Sequence, residues 1–304
     1  MSPALQPARV GTSMALAAMV SVQLGLAASV GIAGQIGPEG AAWLRLAWAS
    51  IILVAVGRPW RSSFTRSSLL TCILLGIATG AMTLLFMASA MRIPLGTASA
   101  LEFLGPLAVA VVRGRGRARL WAFSAAAGVL LLTEPWHGAA DPLGVLLALG
   151  AGACWAGYIL LTQRAGDQLA GLQALAVSIP VAAVVATLAA GLTLISHIDW
   201  QLLLVGIALA LLLPVVPFSL ELLALRRLTA ASFGTLMSLE PAIAVLIGAT
   251  VLGQVPRISA LAGILLVVAA GVGAARTGAR PQETGTVKAQ AVDVQCRQAD
   301  EGHA

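Results

Sequence analysis

The chain has little charge. Of its 304 residues only 10% are Asp, Glu, Lys or Arg, against about 25% in an ordinary soluble domain. That excludes a hydrated surface of normal extent. With 59% hydrophobic residues and a mean hydropathy of +0.94, the chain reads as an integral membrane protein. Cysteine is scarce too: Cys72 and Cys154 fall in apolar stretches and Cys296 near the C-terminus. They offer no disulfide framework and no CxxC or Cys/His spacing for a metal. The three histidines, His137, His197 and His303, fall in polar connections or near the C-terminus, which excludes a histidine relay inside the membrane. No nucleophile motif or phosphate loop occurs, and the polar connections are too short to hold an active site. Neither an enzyme nor a cofactor is expected.

Long apolar stretches are abundant. Ten can be delimited, at residues 12–34, 39–56, 69–90, 95–112, 118–133, 142–161, 172–195, 201–225, 229–252 and 258–275. Most reach the roughly 17–25 residues that cross a hydrocarbon core as helix, the fifth being short. The net charge of +6 would suit nucleic acid, but its distribution argues for a membrane instead. With the N-terminus in the cytoplasm, Arg9, Arg58, Arg61, Arg66, Arg113, Arg115, Arg117 and Arg119 all fall on the inner side. So do Arg164, Arg226, Arg227, Arg276, Arg280, Lys288 and Arg297, whereas the outer side receives only Arg92 and Arg257. This is the positive-inside pattern, with both termini cytoplasmic. Trp60 and Trp121 near the inner boundary and Trp136 and Trp200 near the outer one form an aromatic belt. Arg9 ahead of an apolar stretch imitates a signal peptide, but the stretch is too long for one and more follow, so it is read as uncleaved.

One pattern occurs twice. GTASALE at 96–102 and GTLMSLE at 234–240 stand 138 residues apart, each ending in a carboxylate with a proline close behind. Five stretches lie in each half, and because five is odd the second copy enters the membrane in the opposite sense. The expected fold is therefore all-α, with ten transmembrane helices in two inverted five-helix repeats, N-in and C-in. The boundaries are a cytoplasmic N-terminus at 1–11, repeats at 12–133 and 142–275, and a disordered cytoplasmic tail at 276–304. A weaker match sets 153–158 against 21–26. Gly76 and Gly80, and Gly150, Ala153 and Gly157, are spaced for close helix packing.

Glu102 and Glu240 carry the chemistry. Each lies near the middle of its stretch, where an ionisable group is costly and marks a functional site by default. Hydrocarbon disfavours the charged form of a carboxyl, so such a group can trade a proton for a cationic ligand group. The competing account is a helix–helix hydrogen bond from a permanently protonated acid. Pro106 removes the backbone bond to the carbonyl of Glu102, and Pro241 pushes Glu240 away from helical geometry. Broken helices at matching places in two halves point to a midplane binding site. Arg45 is the one basic residue inside a stretch. It requires a substrate carboxylate or a protein acid as partner, unless it snorkels outward. Pro214 and Pro217 mark a hinge or a static kink. Glu221 stands near Arg226 and Arg227, as in an interfacial ion pair. Trp155 and Tyr158 lie three apart on one helical face, lining a cavity or packing.

Four stretches carry a resemblance to a known family: PLGTASALEFLGPLAVAV from Pro94, LALGAGACWAGYILLTQRAG from Leu147, PFSLELLALRRL from Pro217 and FGTLMSLEPAIAV from Phe233. The chain resembles the EamA-type branch of the drug/metabolite transporter superfamily, most closely the bacterial threonine/homoserine exporters, from the first stretch to about Gly273. The resemblance implies a multi-pass protein of the bacterial inner membrane, with a central cavity open to one side at a time. It implies secondary active efflux of small neutral amino acids by proton antiport, with Arg45, Glu102 and Glu240 at the site. Its partners would be a neutral amino acid, protons and the lipid bilayer, with no cofactor and no nucleic acid. Phe218 departs from the tyrosine these exporters commonly carry. Another metabolite, a drug-like compound or passive facilitation are the alternatives.

Overall fold

The computed structural model of the chain describes residues 5–61, 64–113, 120–133, 141–166, 172–190, 199–225 and 236–278. Among these residues every regular element is helical. In hydrocarbon no water can satisfy the backbone, and a helix closes its hydrogen bonds within one segment. Helix α1 (Leu5–Gly57) covers the first two apolar stretches and is broken at Gly37, where φ is 78° and ψ 161°. Glycine adopts that positive φ without a steric penalty, and Pro38 behind it has no N–H to continue the ladder. The short loop expected there is thus a sharp break in one run.

Helix α2 (Arg66–Ala90) begins on a reciprocal cap. Ser68 N donates to Thr65 Oγ1 at 3.1 Å, and Thr65 N donates to Ser68 Oγ at 2.9 Å. The fourth stretch is split at Phe103 into α3 (Leu95–Glu102) and α4 (Leu104–Arg113). There follow α5 (Leu120–Thr133), α6 (Pro142–Gly166) and α7 (Leu172–Ala190). Helix α8 (Trp200–Ala210) is capped by Asp199, whose carboxylate accepts from Leu202 N at 2.8 Å. It passes through a wide turn at Leu211–Val215 into α9 (Val216–Leu225). Helices α10 (Glu240–Val251) and α11 (Ile258–Gly278) complete the described chain. Among these, α1, α2, α6 and α7 are long and apolar enough to cross a bilayer, and the rest include shorter apolar helices.

Large apolar side chains such as Phe123, Leu146, Leu188 and Leu265 are exposed, while Gln23, Arg45, Ser178 and Glu240 are buried. That inside-out distribution suits lipid as solvent. Helices α2 and α6 adjoin, as do α2 and α7, while α8 and α9 lie against α1. Helices α3 and α10 pack on each other, as do α1 and α7, and α5 and α11. The last pair meets through glycines: a Cβ on Gly128 would stand 2.8 Å from the Gly263 carbonyl oxygen, and one on Gly263 2.7 Å from that of Gly128. Gly76 and Gly80 do bring α2 onto the backbone of α7 at Ser178 and Ala182. On α6 the expected glycines fail. Gly150 makes an ordinary contact with Leu85, and a Cβ on Gly157 would meet nothing within 4 Å.

At the start of α6, Arg92 Nη1 donates to Asp141 Oδ2 at 3.1 Å. That hydrogen bond holds the Asp141 carboxyl below its ordinary range. A depressed carboxyl stabilises the fold at neutral pH, and the contribution is lost as pH falls through its folded titration. Asp141→Asn should lower the melting temperature slightly at neutral pH and not at strongly acid pH, as expected of an exposed pair. An equal drop at both, read from melting curves in detergent, would contradict this account.

The connection with Arg115, Arg117 and Arg119, the residues His137, His197, Arg226 and Arg227, and the expected tail beyond 278 lie outside the described residues.

Candidate functional site

Pro106 has no N–H to offer the carbonyl of Glu102, and the helix breaks there, at Phe103 rather than at the proline itself. The ladder resumes with Leu107 N donating to Phe103 O at 3.2 Å. Helix α6 closes on this break. A Cβ on Gly105 would overlap the Gly152 carbonyl, and one on Gly152 would stand 2.7 Å from the Glu102 carbonyl oxygen. Sequence reasoning missed this contact. Gly105 and Gly152 both lie in the stretches that carry the family resemblance, but neither fits a small-xxx-small spacing with a partner singled out there. The Glu102 side chain is left half-buried at the end of α3.

In the second copy of the motif the order is reversed. The chain bends at Ser238 and Leu239, and Glu240 is the first residue of α10. Pro241 then sits in the first turn of α10, where a missing N–H costs nothing, just past the turn that separates α10 from the helical residues Leu236 and Met237. Glu240 is 7% exposed. Gln23 of α1 donates from Nε2 to Glu240 Oε1 at 3.3 Å. Glu240 Oε2 and Gln23 Oε1 are both buried without a hydrogen-bond partner.

The break expected from Pro214 and Pro217 falls at Leu213, with φ −159° and ψ 111°. Pro217 sits in the first turn of α9, four residues past that break. The other half of the break is held by α1: Ser21 Oγ donates to Leu212 O at 2.8 Å, and Gly25 lets the helices approach, a Cβ there standing 3.0 Å from Leu213 Cβ. Ser21 and Gln23 are the contacts the sequence reading did not select. Their signal was the weak match of 21–26 to 153–158, which aligns Gln23 with Trp155.

Arg45 does not snorkel. It is 4% exposed, and its Nη1 is buried without a hydrogen-bond partner. It lies within Coulomb reach of Glu102, which in turn feels Glu240. Glu221 feels no described arginine as partner but reaches Glu240 and Tyr158. The fold thus brings Arg45, Glu102, Glu240 and Glu221 into one electrostatic neighbourhood from α1, α3, α10 and α9. Trp155 and Tyr158 pack against different neighbours. Trp155 packs edge-on against Phe103 at 6.3 Å between ring centroids, beside the Glu102 break. Tyr158 packs with Cys72, Leu75 and Ala174 and hydrogen-bonds Thr162. Of the two readings given for this pair, lining a cavity or packing, both residues pack. A cavity of about 190 Å³ opens near the far ends of α3 and α10, between Pro94, Thr97, Gln254 and Arg257. No candidate residue lines it.

The geometry places a buried cation and three buried or half-buried acids beside two helix breaks, which can bind a small zwitterion or pass a proton. Among the described residues no cluster of side chains suits a metal. Residues 142–274 match the EamA-like transporter family. The threonine/homoserine exporters RhtA of Salmonella typhimurium (strain LT2) and Escherichia coli (strain K12) are each 38% identical to the chain over 272 residues, 86% of this chain and 90% of their own length. A solved crystal structure with 16% identity, spanning 89% of this chain and 97% of its own, superposes with a TM-score of 0.56 and shares the fold. Likeness at that level, running through both halves, leaves one assignment: the chain belongs to the EamA-like transporter family.

Proposed function

We propose that the protein is a secondary active exporter of small neutral amino acids of the threonine and homoserine kind. It works by proton antiport with alternating access, across the bacterial inner membrane. The observation that carries the reading is the Arg45–Glu102–Glu240 neighbourhood at two helix breaks, with a buried guanidinium nitrogen that lacks a hydrogen-bond partner within Coulomb reach of Glu102. A zwitterion needs a donor for its carboxylate and an acceptor for its ammonium. Arg45 supplies the first and Glu102 the second. A proton entering from outside competes with the ammonium at Glu102, which couples the two fluxes. Moving one charge inward is worth about 2.3 kcal/mol per 100 mV.

The proposed frame is ten spans, N-in and C-in, as two inverted repeats at 12–133 and 142–275. The packing pattern supports it. Exchanging the two halves maps the contact of α2 with α6 and α7 onto that of α8 and α9 with α1, and maps the pairs α1–α7, α3–α10 and α5–α11 onto themselves. The reciprocal Gly128–Gly263 contact fits a twofold axis between α5 and α11.

Inverted vesicles with an imposed pH gradient, acid inside, should accumulate labelled threonine or homoserine. Uptake that equilibrates without regard to the gradient would make the protein a facilitator. Absence of uptake for every small amino acid would remove the assignment.

A further inference from the structure

Four buried polar side-chain atoms among the described residues lack a hydrogen-bond partner: Gln23 Oε1, Arg45 Nη1, Ser178 Oγ and Glu240 Oε2. Buried polar groups are normally paired, so each such atom calls for an explanation. Ser178 belongs to the α2–α7 contact at Gly76. The other three differ in kind. Arg45 offers a donor, whereas Gln23 and Glu240 offer acceptors on two side chains already joined at 3.3 Å.

Gln23 is fully buried. The backbone around it is held on both sides, by Ser21 Oγ on the Leu212 carbonyl and by Gly25 against Leu213. Its amide therefore presents a free oxygen, and a second N–H beyond the one given to Glu240, from a fixed position. A group that both donates and accepts satisfies this arrangement, and a hydroxyl is such a group. Arg45 and Glu102 already answer the two charges of a zwitterion. A third point of attachment is left for the substrate's side chain.

We propose that Gln23, held by Glu240, is the specificity-determining residue that reads a hydroxyl on the substrate side chain, so that hydroxylated neutral amino acids are preferred. The proposal rests on the transport reading above. The hydroxyl donates to one of the two free oxygens and accepts the second amide N–H, and an alkyl side chain of equal size leaves both contacts unmade. A site built to hydrogen-bond a hydroxyl rejects the analogue without it far more strongly than an apolar pocket rejects an added one.

The test is competition against labelled threonine flux in vesicles, using threonine, its isostere valine and the smaller α-aminobutyrate. In the wild type, valine and α-aminobutyrate should compete at least about tenfold more weakly than threonine. Gln23→Met keeps the length and removes the hydrogen bonds, and it should collapse that preference to within about twofold. Equal competition by all three in a wild type that carries threonine overturns the proposal and leaves the transport reading standing. A Gln23→Met protein whose flux falls with the threonine-to-valine preference unchanged also overturns it, since that marks a structural role. Should Gln23→Met fail to reach the membrane, the wild-type series decides alone. A wild type that carries no amino acid overturns the transport reading itself.

Discussion

Glu102→Gln is expected to abolish gradient-driven accumulation of threonine while leaving the protein folded. The amide has nearly the shape of the carboxyl and keeps its hydrogen-bonding capacity, but it cannot take up and release a proton. Antiport of one proton against a zwitterion moves one charge, worth about 2.3 kcal/mol per 100 mV, or about a 50-fold concentration ratio. In Glu102→Gln that ratio should fall to about one, because nothing then links the proton to the substrate. Two features make Glu102 the stronger choice of the two repeated acids. It lies within Coulomb reach of both Arg45 and Glu240, and its side chain is half-buried at the end of a broken helix. Glu240 already has one oxygen engaged by Gln23. Vesicle accumulation measured at a fixed gradient checks the point. A Glu102→Gln protein that accumulates threonine as the wild type does would take Glu102 out of the proton path.

Gly152→Ala is expected to damage stability and transport together. Its Cβ would stand 2.7 Å from the Glu102 carbonyl oxygen and 3.4 Å from the Glu102 Cα. Those are backbone atoms, which cannot swing aside as a side-chain tip can. Helix α6 must then retreat from the break between α3 and α4, at a cost of about 1–3 kcal/mol of overpacking strain. The retreat also carries Glu102 away from Arg45, so transport should fall with stability. Gly157→Ala on the same helix is the control, because nothing lies within 4 Å of its new methyl. Thermal melting in detergent and threonine flux, measured together, check both. If Gly152→Ala melts and transports like Gly157→Ala, the close approach of α6 to the Glu102 break does not exist.

How far the sequence could be read depended on the range of the forces involved. The positions of the helices followed from apolar runs and from prolines, since in hydrocarbon a segment satisfies its backbone by itself. The break beside Glu102 was legible because Pro106 acts on a carbonyl four residues back. The break before Glu240 was legible as to place but not as to form. Pro241 serves equally to kink a helix and to begin one, and the chain's arrival at Ser238 decides between them. Spacing put Trp155 and Tyr158 on one face of α6 but could not say that one packs on Phe103 and the other on α2 and α7.

Composition, hydropathy and the repeated GTxxxLE motif by themselves determined that this is a helical membrane protein and singled out Glu102, Glu240 and Arg45 as ionisable groups within its apolar stretches. They carry that much because the cost of charge in lipid is set residue by residue. Only the tertiary structure decided which groups meet. Gln23 and Glu240 are 217 residues apart and share a hydrogen bond, and Gly105 and Gly152 bring α4 onto α6 with no spacing to announce it. Such contacts depend on how close two helices can pack and which polar atoms that approach leaves unpaired, and no pattern along a single chain encodes either.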